Sequence, residues 1–164
     1  ADYKEDLKKK LAESKEKEAA DDLENQLIDK LVELVQGEIP EAMYENKIAD
    51  SIREFGYRLQ SQGLNLDTYM KYTGMNVDQM KEGFRPQAER QVKLRLALEK
   101  IAALEELKAG EEDLNQEYQK IAEQYKMEAD KIKELIPAAE LEKDICVEKA
   151  INLVRDNANI KDAE

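Results

Sequence analysis

Side chains that could perform chemistry are scarce in this 164-residue chain. It contains no histidine, which excludes histidine-based acid–base catalysis and histidine ligands to a metal. Its one cysteine, Cys146, therefore has no histidine partner for nucleophilic catalysis, and its apolar neighbours predict a small buried hydrophobe. A single cysteine allows no internal disulfide, which fits a reducing compartment.

Two other patterns could hold an ion or a phosphate group. The acidic stretches at 105–106 and 111–113 offer carboxylates to Ca²⁺, but the loop spacing of an EF-hand is missing, so we interpret them as solvated helix positions. Gly83-Phe84-Arg85-Pro86 is not followed by a second glycine and does not fit a phosphate-binding loop. We expect no catalytic residue, no metal and no cofactor in this chain.

What remains is the chemistry of apolar contact. Methionine and tyrosine are concentrated between residues 43 and 80, and methionine suits surfaces that meet many partners because it is flexible and polarizable. The alternative left open is that these side chains only pack their own segment. The candidate binding residues are Met43, Tyr44, Leu64, Leu66, Tyr69, Met70, Tyr72, Met75 and Met80.

The composition predicts an all-α protein with long helices. Charged residues make up 39% and apolar residues 41%, while the chain has only six glycines and three prolines. We expect an elongated multi-helix domain. A compact core is less expected, because a single core of this length usually needs more large apolar side chains. The charged fraction also exceeds the quarter that is usual for a globular domain. The net charge of −12 disfavours binding to nucleic acid or to an anionic membrane surface. No apolar run approaches the roughly 18 residues that a membrane span needs.

The hydrophobic periodicity divides the first half of the chain into three parts. A long helix is predicted over 3–35, with Gly37 at its end. Its C-terminal half is predicted to pack inward through a stripe at Leu23, Leu27, Leu31 and Leu34. The next helix, 39–62, carries the cleanest apolar stripe, at Tyr44, Ile48, Ile52, Phe55 and Leu59. The segment 63–83 is predicted to be a tip of two short helices, the first capped by Asn65 and the second beginning at Asn76 and broken at Gly83.

Four more helices are predicted after this tip. The first begins at Pro86 and ends at about Ala109, with Leu94, Leu98, Ile101, Leu104 and Leu107 on one stripe. The next begins at Gly110 and carries its stripe to Tyr125, the last two cover 128–136 and 138–157, and a polar tail follows at 158–164. Their predicted inward residues are Leu114, Tyr118, Ile121, Tyr125, Ile132, Leu135, Leu141, Ile145, Ile151 and Val154. We expect a linker helix (1–37), a first arm (38–109) with its tip at 63–83, and a second arm with a closing helix (110–157).

Three ordered motifs resemble those of a known family. The first is Ile39-Pro40-Glu41-Ala42-Met43. The second combines Gln62-Gly63-Leu64, Tyr69-Met70 and Thr73-Gly74, and the third combines Phe84-Arg85-Pro86, Ala88-Glu89, Val92-Lys93 and Leu96 through Ile101-Ala102. With these motifs the chain resembles the C-terminal domain of trigger factor, the ribosome-associated chaperone of bacteria. The remaining helices resemble that domain by pattern and position, so the resemblance extends over essentially the whole chain.

The resemblance implies a helical fold with two protruding arms that bind unfolded and nascent polypeptides and prevent their aggregation in the bacterial cytoplasm. The ribosome-docking domain and the prolyl-isomerase domain of trigger factors are absent from this sequence. Ribosome contact is therefore expected only through the missing domain, and isomerase activity is not expected. The chain begins Ala1-Asp2-Tyr3, without methionine, so we expect a fragment of a longer protein. A helical scaffold or a homodimerisation module without client binding is left open as the alternative.

Overall fold

The computed structural model describes residues 2–158, with side chains described at 11, 14, 15 and 17–158. Within this range all regular structure is helical, and the seven helices are α1 (Asp2–Leu34), α2 (Glu41–Ser61), α3 (Leu66–Thr73), α4 (Val77–Leu104), α5 (Glu111–Tyr125), α6 (Ala129–Leu135) and α7 (Ala138–Asp156). The predicted all-α class is confirmed. Beyond residue 158, the predicted tail lies outside the described residues.

The chain divides into two compact units of very different charge. Residues 35–96 form one unit, with nine acidic and nine basic side chains and therefore no formal net charge. We call this the neutral unit. The rest of the sequence carries the whole net charge of −12, and we call its unit, made from the segments before residue 35 and after residue 96, the acidic unit.

Helix α2 provides one wall of the neutral unit. Ile48 and Leu59 are buried, and Tyr44, Ile52 and Phe55 are half-buried, so the predicted stripe does face the unit's interior. Helix α3 begins as predicted, since the Asn65 side chain accepts a hydrogen bond of 2.8 Å from the backbone N–H of Thr68. It ends at Gly74, whose φ of 69° lies in the left-handed region.

Helix α4 begins with a reciprocal cap. The backbone N–H of Asn76 donates to the Gln79 side chain at 3.0 Å, and the Gln79 backbone N–H donates to the Asn76 side chain at 2.8 Å. The predicted start at Asn76 is therefore confirmed. The predicted break at Gly83 and the predicted fresh start at Pro86 are wrong, because α4 continues through both residues to Leu104.

Tertiary contacts explain why these two helix breakers do not end α4. Inside a helix, glycine costs about 1 kcal/mol and proline about 3 kcal/mol relative to alanine. The turns on either side are held in place, because Met80 and Ala88 are buried in the unit. Arg85 also donates to Glu89 at 3.2 Å and pairs with Glu41 in the first turn of α2. Packing of the flanking turns thus outweighs the local preference.

The other end of α4 falls short of the predicted Ala109. Glu106 has a φ of 52°, in the left-handed region, and the N–H of Leu107 donates back to the carbonyl of Ala102 at 2.9 Å. A bond across five residues beside a left-handed residue is a common way to end a helix. The prediction that Leu107 continues the helical stripe is therefore wrong.

The acidic unit has its core between α5, α6 and α7. This core consists of Tyr118, Ala122, Ile132, Leu141 and Ile145, and the Tyr118 hydroxyl donates to the Ile136 carbonyl at 2.9 Å. Cys146 lies beside it, half-buried, with its thiol 3.3 Å from the Leu107 carbonyl. It packs as a partly covered side chain, so its burial is less complete than predicted.

Four apolar residues that were predicted to point inward are exposed. Leu34, Leu104, Tyr125 and Leu135 have between 65% and 73% of their surface exposed, and each is the last residue of its helix. A periodic stripe carries no information about where the neighbouring helices end. At a helix terminus the stripe continues past its packing partners, so its final residue stays in solvent.

The end of α3 yields a stability prediction. Gly74→Ala should lower the free energy of unfolding by about 1–2 kcal/mol, because a left-handed conformation costs an L-residue that much. An added Cβ would meet no atom within 4 Å, so backbone conformation alone causes the loss. Gly74→Asn is the matched control and should lose less, since asparagine tolerates this conformation. Urea unfolding followed by circular dichroism measures both, and an alanine variant as stable as the parent would contradict the assignment.

The Arg85–Glu41 pair yields a pH prediction. The hydrogen bond from Arg85 holds the pKa of Glu41 below its usual value. A carboxyl whose folded pKa is lowered stabilises the fold above its unfolded pKa of about 4.3, and that stabilisation is lost as the pH falls through the folded value. Glu41→Gln should therefore flatten the acid side of a stability–pH profile below about pH 4.5. Glu45→Gln, whose carboxylate has no ion pair among the described residues, should leave the profile unchanged, and equal profiles for both variants would contradict the role of the pair.

Candidate functional site

The nine candidate binding residues all belong to the neutral unit, but they differ in exposure. Met43, Leu64 and Tyr72 are exposed, and Tyr72 is the most open of the three at 84%. Tyr44, Leu66, Tyr69, Met70 and Met75 are half-buried. Met80 is only 3% exposed, so it belongs to the packing beneath the surface. The structure thus places three of the nine at the surface, and of these only Tyr72 exposes most of its side chain, since Met43 is 39% and Leu64 36% exposed.

Two further apolar residues of the neutral unit are exposed and were not among the candidates. Tyr57, on α2, is 65% exposed, and Val77 lies open at the start of α4. Tyr57 lies off the apolar stripe of α2, on the face that the pattern assigns to solvent. The sequence could have indicated Tyr57 as a candidate, because it is an aromatic residue on a helix face that is otherwise polar.

An aromatic cluster joins α2, α3 and α4. The Phe55 ring meets the Tyr69 ring edge-on, with centroids 5.0 Å apart and an angle of 79° between the planes. It also lies 5.8 Å from the Phe84 ring, at 57°. Beside these rings is an open cavity of about 210 Å³, whose wall is completed by Met75, Met80, Gly83 and Gln87. Periodicity assigned Phe55 only to a packing stripe and left Phe84 unassigned, because the cavity requires three helices at once.

The composition of the neutral unit is that of a contact surface. It contains five of the six arginines, four of the five methionines and both phenylalanines of the chain. Aromatic residues, methionine and arginine are the types enriched at protein interfaces.

Burial raises the pKa of Tyr44, as do the negative charges of Glu89 and Glu41, so its phenol stays neutral near pH 7.

The acidic unit has a polar groove that includes Asp113, Lys149 and Asn152. Lys149 pairs with Asp113 at 2.6 Å and donates to the Lys108 carbonyl at 3.0 Å. The hydrogen bonds from Lys149 and from the Gly110 N–H hold the pKa of Asp113 below its usual value, so the carboxylate is ionised and already occupied. These groups stabilise the joint between α5 and α7. Met127 is also exposed in this unit, two residues after the exposed helix end Tyr125.

The described residues include no group of three or more His, Cys, Asp or Glu side chains placed to hold a metal ion. Over the same range, every helix is either too short or too polar to cross a membrane.

Comparison with known proteins agrees with this description. The family model described as "Bacterial trigger factor protein (TF) C-terminus" matches residues 1–156. The trigger factor of Agathobacter rectalis is 40% identical over 160 residues, which cover 96% of this chain and 36% of that protein. The trigger factors of Staphylococcus epidermidis and Lachnoclostridium phytofermentans are 37% and 39% identical, over 38% and 37% of their lengths. The chain thus spans little more than a third of the curated relatives it matches.

A solved structure supports the fold. It describes domains of trigger factor from Thermotoga maritima, is 22% identical in sequence, and superimposes with a TM-score of 0.58 over 84% of this chain and 81% of that one. The match of the family model over almost the whole sequence, together with the identity to curated relatives, carries the assignment. The chain belongs to the bacterial trigger factor family and corresponds to its C-terminal region.

Proposed function

We propose that this chain is a chaperone domain that holds unfolded polypeptides through the apolar surface of its neutral unit. The single observation that carries the proposal is the exposure of Tyr72, Tyr57 and Leu64 together with the half-buried aromatic cluster around Phe55. Large apolar side chains that the fold leaves uncovered, in a unit without catalytic groups, suit binding by contact. The family supports the same role at the level of a chaperone.

The energetics of such contact suit a chaperone. Apolar burial stabilises a complex by about 25 cal/mol per Å², so a few hundred Å² of shared surface gives several kcal/mol before the entropy cost of binding. That is enough for reversible capture and too little for permanent sequestration. Methionine side chains adapt to different partners, which favours broad recognition.

The charge distribution separates two tasks. The neutral unit neither attracts nor repels a client by net charge, so contacts there depend on apolar chemistry. The charge of −12 on the rest of the chain keeps it soluble and favours clients with basic segments. Screening by salt weakens that attraction, whereas apolar capture persists.

The proposal also concerns full-length trigger factors, of which this chain matches only the C-terminal region. There, ribosome contact would come from a separate N-terminal domain, and the clients would include nascent chains in the bacterial cytoplasm. We expect no isomerase activity in this chain, because the isomerase domain of the family lies outside the matched region. The division into a first arm at 38–109 and a second arm at 110–157 stays a prediction.

One observation favours the alternative of self-association. Leu34, Leu104, Tyr125 and Leu135 are exposed in the acidic unit, where they could pack against a second copy. Repulsion between two surfaces of high negative charge opposes such a homodimer. Sedimentation at low and high salt separates the two effects, because a dimer formed by these residues should strengthen as salt screens the charge.

An aggregation assay on a denatured client tests the main proposal. The chain in several-fold excess should delay aggregation, and the triple variant Met43→Ser, Leu64→Ser and Tyr72→Ser should bind the client about tenfold more weakly, a loss of roughly 1.4 kcal/mol. Tyr72 is 84% exposed, but Met43 and Leu64 are only 39% and 36% exposed, so the variant should lose about 1–3 kcal/mol of stability and stay folded, which urea unfolding checks.

The matched control replaces three exposed polar residues of the same unit, Glu45, Gln60 and Lys71, by serine, which leaves the net charge unchanged. It should protect the client as well as the parent chain does. Equal protection by the apolar variant would contradict the assigned surface. Failure of the parent chain to delay aggregation would instead favour the scaffold alternative.

A further inference from the structure

Helix α1 packs against the acidic unit along its C-terminal part. The described side chains between residues 11 and 22 are all exposed. From Leu23 onward one side of the helix is half-buried, through Leu23, Leu27, Ile28, Leu31 and Val32. None of the described side chains of α1 reaches full burial. The docking of α1 therefore depends on a shallow apolar contact that covers each side chain in part.

An ion pair lies at the point where this contact begins. Glu24 follows the first half-buried residue of the stripe, and its carboxylate accepts a hydrogen bond of 2.7 Å from the Arg155 guanidinium, 131 positions away. Arg155 belongs to the last turn of α7 and also donates to the Asn152 side chain at 3.3 Å, which orients the guanidinium. The pair thus links α1 to α7 at the place where α1 extends from the unit into solvent.

The pair can open without disturbing the core of the acidic unit. The side chains of Arg155 and Glu24 are 48% and 42% exposed, so water and ions reach both. Neither residue belongs to the core cluster between α5, α6 and α7. An exposed ion pair changes an equilibrium only a few-fold, which suits a contact that forms and breaks.

Net charge opposes the docking of α1. Helix α1 has eleven acidic and seven basic residues, a net charge of −4, and the segment 97–164 of the same unit has eighteen and ten, a net charge of −8. Two segments of like charge repel each other. Arg155 is the one arginine in the sequence of 97–164, and it pairs with α1. A single attractive contact is therefore set against a repulsion that is spread over both segments.

We propose that the Glu24–Arg155 pair is an electrostatic latch on α1. With the pair closed, α1 lies against the acidic unit. With the pair open, repulsion moves α1 away as a strap and uncovers its apolar stripe, including Leu27 and Leu31. The inference goes beyond the proposed function, because it concerns a movement of α1 that needs no client.

The latch predicts an unusual effect of salt. Charges that are far apart are screened first, whereas a partly covered pair in direct contact is screened less. Added salt should therefore remove the repulsion before it weakens the pair, and should favour the docked position. An ion pair that acted without an opposing repulsion would show the reverse, with docking lost as salt is added.

Double electron–electron resonance on the full chain tests this, with nitroxide labels on cysteines at the exposed positions 14 and 140 and with Cys146→Ser to keep labelling specific. The parent should give one narrow distance distribution. Glu24→Gln combined with Arg155→Gln keeps the net charge and should enlarge the broad, released component about threefold at low salt. Raising the salt from about 10 mM to about 1 M, which shortens the Debye length from ~30 Å to ~3 Å, should return this variant to the narrow distribution.

Two further variants serve as controls. Lys30→Gln combined with Glu33→Gln removes an exposed pair of 2.9 Å within α1, also without a change in net charge, and should match the parent. The swap Glu24→Arg with Arg155→Glu rebuilds the latch with its polarity reversed and should restore the narrow distribution. Circular dichroism checks that all variants keep the helicity of the parent, and the swap keeps the test valid if the glutamine variant loses helicity.

The inference is overturned if the glutamine variant keeps the distribution of the parent, or if the swap fails to restore it. It is also overturned if added salt broadens the distribution of the glutamine variant, because repulsion would then not be the opening force. None of these results depends on client aggregation, so a failed latch would leave the proposed chaperone function standing.

Discussion

The main physical constraint on the neutral unit is that α2, α3 and the first part of α4 can bury only a small part of their apolar surface. In the neutral unit the buried apolar residues among the described side chains are Ile48, Leu59, Met80, Ala88 and Val92. The larger rings and the remaining methionines stay half-buried or exposed because no further layer covers them. A compact globule would bury such side chains and gain stability from them. Here their contact energy remains available to a partner, which is the physical basis of the proposed chaperone role.

Helix α4 stabilises the neutral unit because it remains continuous from Val77 to Leu104. It contains both a glycine and a proline in its interior, and each alone favours a break. The ion pair of Arg85 with Glu41 links the turn before the proline to α2, and the pair of Arg85 with Glu89 spans the proline within α4. Because the helix continues, Met80, Gly83, Phe84 and Gln87 lie along one wall of the cavity. The segment 83–86 therefore both supports the fold, through Arg85, and contributes to the cavity wall, through Gly83 and Phe84.

Much of the fold could be predicted from local signals, and most of the site could not. The α2 stripe, the Asn65 cap and the start of α4 depend on neighbours in sequence, so their patterns are readable. The continuity of α4 depends on tertiary contacts, namely the burial of Met80 and Ala88 and the contact of Arg85 with a residue 44 positions away. The exposure of Leu34, Leu104, Tyr125 and Leu135 depends on where neighbouring helices end. The cavity requires the relative placement of three helices, and no single periodicity contains that information.

The net charge lies entirely in the acidic unit. In our proposal the neutral unit therefore captures clients by apolar contact, and the acidic unit attracts basic segments by charge.

Photo-cross-linking from two exposed tyrosine positions tests this division most directly, with benzoylphenylalanine placed at 72 in the neutral unit or at 125 in the acidic unit. With a neutral, unfolded client, position 72 should give the larger yield, and the yield should fall when the client is native. Equal yields from 72 and 125, or equal yields with native and unfolded client, would contradict the claim that the neutral unit holds unfolded chains.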